Sequence, residues 1–330
     1  MKYKFSLTLI FTLSLIINAY SQTWWDSQWL NRTKITFDNT ASNEDLIDFP
    51  LLVSFTNANI DFDKIEPLGV DIRFVDGDDA TPLDYEIEKW DDVGETATVW
   101  VNVQQIDNNS NTDFIYIYYN NTDASDDQDP AGVWNNDYEG VWHLDETSGS
   151  AMDATSNSHD GTYIGTSFPS QVDGAIGKAQ DFEYDNNNYI DLPDESSFDY
   201  SSEMSVSAWV KVESWSVTFA CIVSKGGTSW AIQRWNDTNF GNFGVGGDPI
   251  SVGADDDIND GAWHFTVGTY DGSTLRFYVD GVADGTRVRD LGGLNDINVQ
   301  IGGHDNRAWR KGIIESNIRD YSRKGIPLFY

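Results

Sequence analysis

The stretch AWHFTVGTYDGSTLRFYVDG, residues 262–281, decides the fold class of this chain. Leu275, Phe277 and Val279 lie at alternate positions, and this period of two places them on one face of a β-strand. The tetrapeptide YDGS, residues 270–273, contains the Asp-Gly pair that tight turns favour. The stretch therefore predicts two strands joined by a short turn.

The same pattern of strands and turns recurs along the chain, and no helical periodicity of any length accompanies it. Apolar residues at alternate positions form further rows: Phe49, Leu51, Val53 and Phe55; Val70, Ile72 and Phe74; Ala97, Val99, Val101 and Val103; and Val206, Ala208 and Val210. Many short strands with frequent turn signals are typical of antiparallel sandwiches. The sequence therefore predicts an all-β protein made of two tandem antiparallel β-sandwich (jelly-roll) domains.

The amino terminus predicts export. Lys2 and Lys4 precede an apolar stretch, and small residues mark a cleavage site before Gln22. The apolar stretch is shorter than the ~20 residues that a membrane-spanning helix needs. We therefore expect residues 1–21 to be a cleaved signal peptide, and the alternative is a non-cleaved anchor. The mature protein is expected to be secreted or extracytoplasmic, in the periplasm or at the cell surface, without inserting into the membrane.

A polar connector divides the rest of the chain. Residues 121–132 are acidic and contain Pro130, a composition typical of a domain linker. A new strand pattern begins after this segment, at Gly140. We therefore assign residues 22–138 to the first domain and residues 139–330 to the second.

The charge of the chain narrows its possible partners. It has 54 acidic and 20 basic residues, a formal net charge of −34, and loss of the two lysines of the signal peptide makes this −36. A field of this sign repels nucleic acid and anionic membranes, so neither is an expected partner. It favours neutral glycans, or anionic ones bridged by calcium, which prefers oxygen ligands. Cys221 is the only cysteine, so no disulfide can form within the chain.

Six segments of the first domain carry a family resemblance. They are WWDSQWLNRTKITF (24–37), DFPLLVSF (48–55), GVDIRFVDGD (69–78), TPLDYEIEKWD (81–91), VWVNV (99–103) and FIYIYYNN (114–121). In this order they resemble the bacterial domain of unknown function 2341 over nearly the whole first domain. That family often precedes laminin-G-like modules in secreted or surface proteins of bacteria, and its activity is not established.

Segments of the second domain carry another resemblance. They are GVWHLDETSGSAMDATSNSHDGT (140–162), GAIGKAQDFEYDNNNYIDL (174–192), MSVSAWVKV (204–212), the stretch at 262–281 and VQIGG (299–303). In this order they resemble the laminin-G-like, concanavalin A-like lectin modules. The resemblance implies a sandwich that binds carbohydrate at its rim, with calcium in many members.

The carboxyl end departs from that family pattern. Ile314 stands where an aspartate is expected, with Glu315 alone beside it. The chain ends at Tyr330, where relatives tend to continue. This suggests a truncated product or the first part of a longer gene.

The loop at residues 153–161 is the candidate calcium site. Asp153, Asn157 and Asp160 offer carboxylate and amide oxygens within eight residues, and calcium takes about six to eight such oxygens. The family resemblance adds Glu315 as a candidate ligand. The alternative is a solvated turn in which these side chains cap their own backbone.

Aromatic residues near turns are the candidate carbohydrate-binding residues, because sugar rings stack on aromatic faces. The rings are Trp230, Trp235 and Trp309, and Asn236, His304 and Asp305 are their hydrogen-bonding neighbours. Packing in the core, or anchoring of a loop, is the alternative for each ring.

The sequence favours a non-catalytic carbohydrate-binding or adhesion protein with calcium as its candidate cofactor. One alternative is a glycoside hydrolase or polysaccharide lyase on a sandwich fold, and another is a structural or protein-binding segment of a larger surface assembly. Glu86 and Glu88 resemble the paired carboxylates of sandwich-fold glycosidases and share a predicted strand face. The further glutamate of that motif is missing, so the segment is predicted to be structural. His143 falls in a strand motif and is also predicted to be structural.

Overall fold

A computed structural model of the protein describes residues 24–215, 218, 220–245, 252–304, 307–308 and 311–315. The predicted signal peptide, residues 1–21, lies outside these ranges.

The first domain consists of two antiparallel sheets. Its strands are β1 (Asn31–Thr36), β2 (Leu46–Thr56), β3 (Arg73–Asp76), β4 (Pro82–Leu83), β5 (Tyr85–Asp91), β6 (Thr96–Ile106) and β7 (Phe114–Tyr119). One sheet has the strand order β1-β7-β3-β4, and the other has the order β2-β6-β5. Two single-turn 3-10 helices, Phe62–Lys64 and Pro67–Gly69, lie between β2 and β3.

The apolar strand faces predicted from the sequence form the core of the first domain. Val99, Val101 and Val103 of β6 are at most 1% exposed. They belong to one cluster with residues of the other sheet, such as Phe74 and Ile117. This packing of two inner faces confirms the sandwich.

The connector between the domains packs against the first domain and contains one turn of helix, α1 (Pro130–Val133). Pro130 fits the first helical position because no partner is needed there for its missing N–H. The carboxylate of Asp129 caps the turn by accepting a hydrogen bond from the backbone N of Gly132 at 3.0 Å. The amide of Asn102 on β6 donates to the carbonyl of Gly132 at 3.0 Å.

The second domain has two larger antiparallel sheets. Its strands are β8 (Ser150–Ala151), β9 (Gly161–Ile164), β10 (Ser170–Asp173), β11 (Lys178–Phe182), β12 (Tyr189–Leu192), β13 (Met204–Ser214), β14 (Cys221–Ser224), β15 (Trp230–Arg234), β16 (Phe240–Val245), β17 (Val252–Asp257), β18 (Trp263–Tyr270), β19 (Thr274–Val279), β20 (Val282–Val288), β21 (Val299–Ile301), β22 (Gly303–His304), β23 (Arg307–Ala308) and β24 (Lys311–Glu315). The 3-10 turns Tyr184–Asn186 and Glu195–Phe198 flank β12.

A seven-stranded sheet has the order β10-β11-β24-β13-β18-β19-β20, and an eight-stranded sheet has the order β17-β16-β15-β14-β21-β12-β9-β8. Strands β22 and β23 form a separate short pair. The predicted boundary at residue 139 lies between β7 and β8.

The stretch at residues 262–281 forms β18 and β19, as the sequence predicts, with Tyr270 opposite Leu275. The carboxylate of Asp271 orders the turn by accepting a hydrogen bond from the backbone N of Thr274 at 2.9 Å. The inward residues of β19, including Phe277, pack in one large cluster with residues of the eight-stranded sheet.

The protein is therefore all-β, with two tandem antiparallel sandwiches. None of the helices in the described part of the chain is long and apolar enough to cross a membrane.

A glycine in β18 tests how tightly the second sandwich is packed. A Cβ on Gly268 would collide with the Cβ and Cγ atoms of Phe243, a fully buried residue of the facing sheet. We expect G268A to lower the free energy of unfolding by about 1–3 kcal/mol, the usual cost of overpacking a core. Urea denaturation measures this. G293A is the matched control, because a Cβ there meets no heavy atom within 4 Å. Equal stability of the two variants would contradict the packing.

Candidate functional site

The predicted calcium loop is closed by its own hydrogen bonds. The Oδ1 atom of Asp153 accepts from the backbone N atoms of Val141 and Thr155, both at 3.0 Å. Its Oδ2 atom accepts from Oγ1 of Thr155 at 2.8 Å and from the backbone N of His159 at 2.9 Å. A carboxylate has about four lone-pair positions. Those of Asp153 are therefore occupied by donors of the chain itself.

The other candidate calcium ligands are also held by backbone groups or lie elsewhere. Oδ1 of Asp160 accepts from the backbone N of Asp153 at 3.0 Å. The amide of Asn157 donates to the carbonyl of Tyr138 at 3.2 Å. Glu315 belongs to β24 in the other sheet, where it is the backbone partner of Trp209. The structure therefore gathers Asp153, Asn157 and Asp160 in one loop and separates them from Glu315.

A different group of carboxylates has the spacing of a metal site. One carboxylate oxygen each from Asp181, Glu183 and Glu213 lie within 4.8 Å of one another. Asp181 is on β11 and Glu213 is on β13, and β24 runs between these two strands. This cluster could not be predicted from the sequence, because two segments that are distant in sequence supply its members.

The candidate carbohydrate-binding residues fall in different environments. Trp230 is 1% exposed, and its indole N donates to the carbonyl of Phe198 at 3.1 Å, so this ring is a core residue. Trp235 and Asn236 are half-buried at the turn between β15 and β16. His304 is half-buried at the end of β22. Asp305 and Trp309 lie outside the described residues.

The outer face of the eight-stranded sheet carries a row of polar side chains. Ile232 and Phe243 point into the core, so by strand alternation Gln233 and Asn242 point outward and face each other across β15 and β16. The pairing of β12, β14, β15 and β21 brings four more side chains onto this face. We call the set the polar face, and its members are Asp191, Cys221, Ser224, Gln233, Asn242 and Gln300.

Several members of the polar face have hydrogen-bond partners within the chain. Both oxygens of Asp191 accept hydrogen bonds, from the amide of Asn298 at 2.7 Å and from the amide of Gln300 at 3.1 Å. The hydroxyl of Ser224 donates to the carbonyl of Gly303 at 2.8 Å. These bonds offset the cost of burying those polar groups.

Asn242 is different. Its side chain is 0% exposed, yet neither its Oδ1 nor its Nδ2 atom has a hydrogen-bond partner in the structure. An unsatisfied buried polar group costs about 1–3 kcal/mol, and native proteins contain few of them. Asn242 therefore presents one unused acceptor and one unused donor side by side on the polar face.

A second polar site lies where the two domains meet. His143, from the segment that opens the second domain, lies between two glutamates of β5. Its Nε2 atom is 3.1 Å from Oε2 of Glu86, and its Nδ1 atom is 2.7 Å from Oε2 of Glu88. The side chains are 13%, 14% and 3% exposed for His143, Glu86 and Glu88. We call these three residues the triad.

Two tryptophans complete the hydrogen bonding of the triad. The indole N of Trp134 donates to Oε2 of Glu86 at 2.6 Å. The indole N of Trp100 donates to Oε2 of Glu88 at 2.8 Å. The two indoles pack edge to face with their centroids 5.1 Å apart. Apolar rings with polar N–H groups thus shield the charges from water while satisfying them.

The charges of the triad reinforce one another. Burial favours a neutral imidazole, but the charges of Glu86 and Glu88 and the hydrogen bonds to them raise the pKa of His143 well above 6.5. Burial alone would raise the pKa of Glu88, but the charge of His143 and the bonds from His143 and Trp100 lower it below 4.5. The triad therefore holds a buried imidazolium between carboxylates at neutral pH.

A cavity of about 420 Å³ lies beside the triad and is lined by both domains. Its carboxylates are Glu86, Glu88, Asp129, Asp145, Glu146 and Asp153. Burial raises the pKa of Glu146, although its oxygens accept bonds from the backbone N of Met152 and the hydroxyl of Tyr163. The wall of the cavity is thus strongly acidic around a single imidazolium.

Family comparisons agree with the two sandwiches. Residues 184–317 match the family described as the concanavalin A-like lectin/glucanases superfamily. The second domain resembles this superfamily. Residues 69–159 match the domain of unknown function 2341, so that match extends into the opening segment of the concanavalin A-like domain and includes the whole triad. No curated protein matches the chain.

Solved structures with related shapes include a toxin binding domain, a domain in complex with arabinotriose and a sialidase. The binding domain of Paraclostridial Mosquitocidal Protein 1 is 16% identical, with 56% of this chain and 49% of that chain covered and a TM-score of 0.42. Domain 4 of an extracellular GH43 arabinanase from Geobacillus stearothermophilus, in complex with arabinotriose, is 20% identical, with 56% and 94% covered and a TM-score of 0.46. A mutant of Trypanosoma rangeli sialidase displaying trans-sialidase activity is 11% identical, with 72% and 42% covered and a TM-score of 0.43.

The chain thus spans about half the length of the mosquitocidal binding-domain structure. Because these TM-scores are low, the likenesses do not identify a ligand of the concanavalin A-like domain.

His264 should make the stability of the protein depend on pH. His264 lies between Asp280 at 2.8 Å and Asp260 at 3.1 Å. Burial lowers its pKa, but the hydrogen bonds and charges of both carboxylates outweigh burial and raise the pKa above 6.5.

A raised pKa in the folded state stabilises the protein below the unfolded value of about 6.5 and loses this effect as the pH rises through the folded pKa. We expect the free energy of unfolding in urea to fall as the pH rises above about 6.5. The fall should be smaller in H264Q. A flat profile for the wild type would contradict the ion pairing.

Proposed function

We propose that this protein is a secreted or surface-exposed, non-catalytic carbohydrate-binding protein that holds a neutral glycan on the polar face of its second domain. The observation that supports this most directly is the buried, unpartnered carboxamide of Asn242. A group that costs stability and satisfies nothing within the chain is expected mainly at functional sites.

The chemistry of a carboxamide suits a sugar. Its oxygen accepts one hydrogen bond and its NH₂ group donates one in a parallel direction. Two neighbouring hydroxyls of a pyranose offer the complementary donor and acceptor. Trp235, at the turn two residues beyond Gln233, supplies a half-buried aromatic ring near the end of the same strand pair.

The charge of the polar face favours an uncharged ligand. Asp191 is the one carboxylate among the six side chains of the polar face. Both of its oxygens already accept hydrogen bonds from amide groups. No lysine or arginine belongs to the row, and the whole chain has a net charge of −34. An anionic glycan would therefore meet repulsion without a cation to offset it.

Binding at Asn242 includes a conformational step. The side chain is fully enclosed, so a glycan reaches it only when the surrounding segments move apart. We expect slow association compared with a preformed open groove.

Calcium dependence is a separate part of the proposal. The oxygens of Asp153 are occupied by hydrogen bonds, whereas the carboxylates of Asp181, Glu183 and Glu213 are close enough together to share one ion.

Secretion is proposed from the basic start, short apolar stretch and small-residue cleavage site of residues 1–21.

A glycan array, followed by titration of the best ligand with and without a calcium chelator, tests the proposal. N242L should abolish binding. It should also leave stability unchanged or raise it by about 1 kcal/mol, because it removes an unsatisfied buried amide. Q300L is the matched control: it breaks the bond to Asp191 and should destabilise the fold instead.

W235A should weaken binding at least about tenfold, the effect of losing about 1.4 kcal/mol of stacking. W24A removes a 40% exposed tryptophan of the first domain and should bind normally.

Two results would contradict the proposal: no glycan bound under either calcium condition, or full binding by N242L. Release of reducing ends from a polysaccharide panel would favour a hydrolase or lyase instead.

A further inference from the structure

The outer face of the three-stranded sheet is an interface. Trp100 of β6 belongs to a buried cluster with Trp134, Tyr138 and Val141, and Ile176 of the second domain packs against this cluster. Most of these residues follow the first sandwich in sequence, yet they cover one of its sheets. We call this set the interdomain cluster.

The triad sits beside the interdomain cluster and crosses the same boundary. Glu86 and Glu88 belong to β5 of the first domain, whereas His143 follows the predicted boundary at residue 139. The turn between β10 and β11 also reaches Glu88, because a Cβ on Gly177 would collide with the Oε1 atom of that glutamate.

The second domain supplies the cation that pairs the buried carboxylates of β5. A buried carboxylate without a cation is strongly unfavourable. In the part of the chain that the structure describes, the ion pairs formed by Glu86 and Glu88 are those with His143. Undocking would therefore break both pairs and expose the indoles of Trp100 and Trp134, two large apolar surfaces, to water.

We propose that the first domain is a docking partner for the second, and that the Glu86–His143–Glu88 triad and the interdomain cluster lock the two sandwiches into one cooperative unit. This assigns a role to the domain of unknown function: it fixes the position and orientation of the concanavalin A-like domain. The match to that family includes the triad and Trp134 within residues 69–159, whereas Ile176 of the interdomain cluster lies beyond the matched segment.

The interface also responds to alkaline pH. The groups near His143 are Glu86 and Glu88 on one side, and Asp129, Asp145, Glu146 and Asp153 around the adjoining cavity. These are carboxylates, so loss of the proton from His143 leaves a cluster of negative charges without a cation. The domains should then separate reversibly.

Scanning calorimetry and small-angle scattering of the whole chain test this inference. The wild type should show one unfolding transition and a compact scattering profile at neutral pH. H143Q should split the transition in two and raise the radius of gyration. Protease cleavage within residues 121–138 should become more than about tenfold faster, because breaking a buried ion pair raises the population of the open form.

H264Q is the matched control. It also removes a histidine that lies between two carboxylates, but Asp260 and Asp280 belong to the same domain as His264. H264Q should lower the transition temperature and keep a single transition. If H143Q does not fold, raising the pH of the wild type gives the same test without a substitution: the profile should expand and recover on return to neutral pH.

Three results would overturn the inference. The first is two independent transitions in the wild type at neutral pH. The second is a single transition and an unchanged radius in H143Q. The third is equal separation of the domains in H143Q and H264Q. None of these results depends on whether the polar face binds a glycan.

Discussion

A charge buried in a protein must be paired, and this constraint organises the molecule. His143, His159 and His264 each have a carboxylate oxygen within 3.3 Å of both ring nitrogens. The chain has four histidines and 54 acidic residues. Two of these histidines tie together parts of the second domain, and His143 ties the two domains to each other. The position of the concanavalin A-like domain thus depends on one imidazolium and two carboxylates.

The alternation of side chains along β6 gives this strand two different faces. Val99, Val101 and Val103 fill the core of the first sandwich, and this could be predicted because a period of two assigns them to one face. Trp100 and Asn102 point the other way. The sequence could not reveal that this second face is also covered, because only tertiary packing brings the connector and the turn between β10 and β11 onto it. Glu86 was correctly predicted to share a strand face with Glu88, but the partner that holds both glutamates lies more than fifty residues away.

Local motifs predicted the candidate site only in part. The loop at Asp153 was predicted to be a calcium site, and its contacts in the structure are those of the alternative, in which its side chains cap the backbone. Composition alone could not separate Trp230 from Trp235, because both lie near turns. The structure separates them, since Trp230 points into the core whereas Trp235 is half-buried at a turn. Asn242 was missed because an outward polar residue on a strand gives no sign that other parts of the chain enclose it.

The protonation state of His143 is the most direct test of the pairing that joins the two domains. Its imidazole C–H resonances can be followed by NMR between about pH 5 and pH 10 and assigned by their absence in H143Q. We expect the ring to stay protonated well above pH 6.5, and we expect its loss of the proton to coincide with expansion of the chain. Titration near pH 6.5, as for an exposed histidine, with no change in domain arrangement would contradict it.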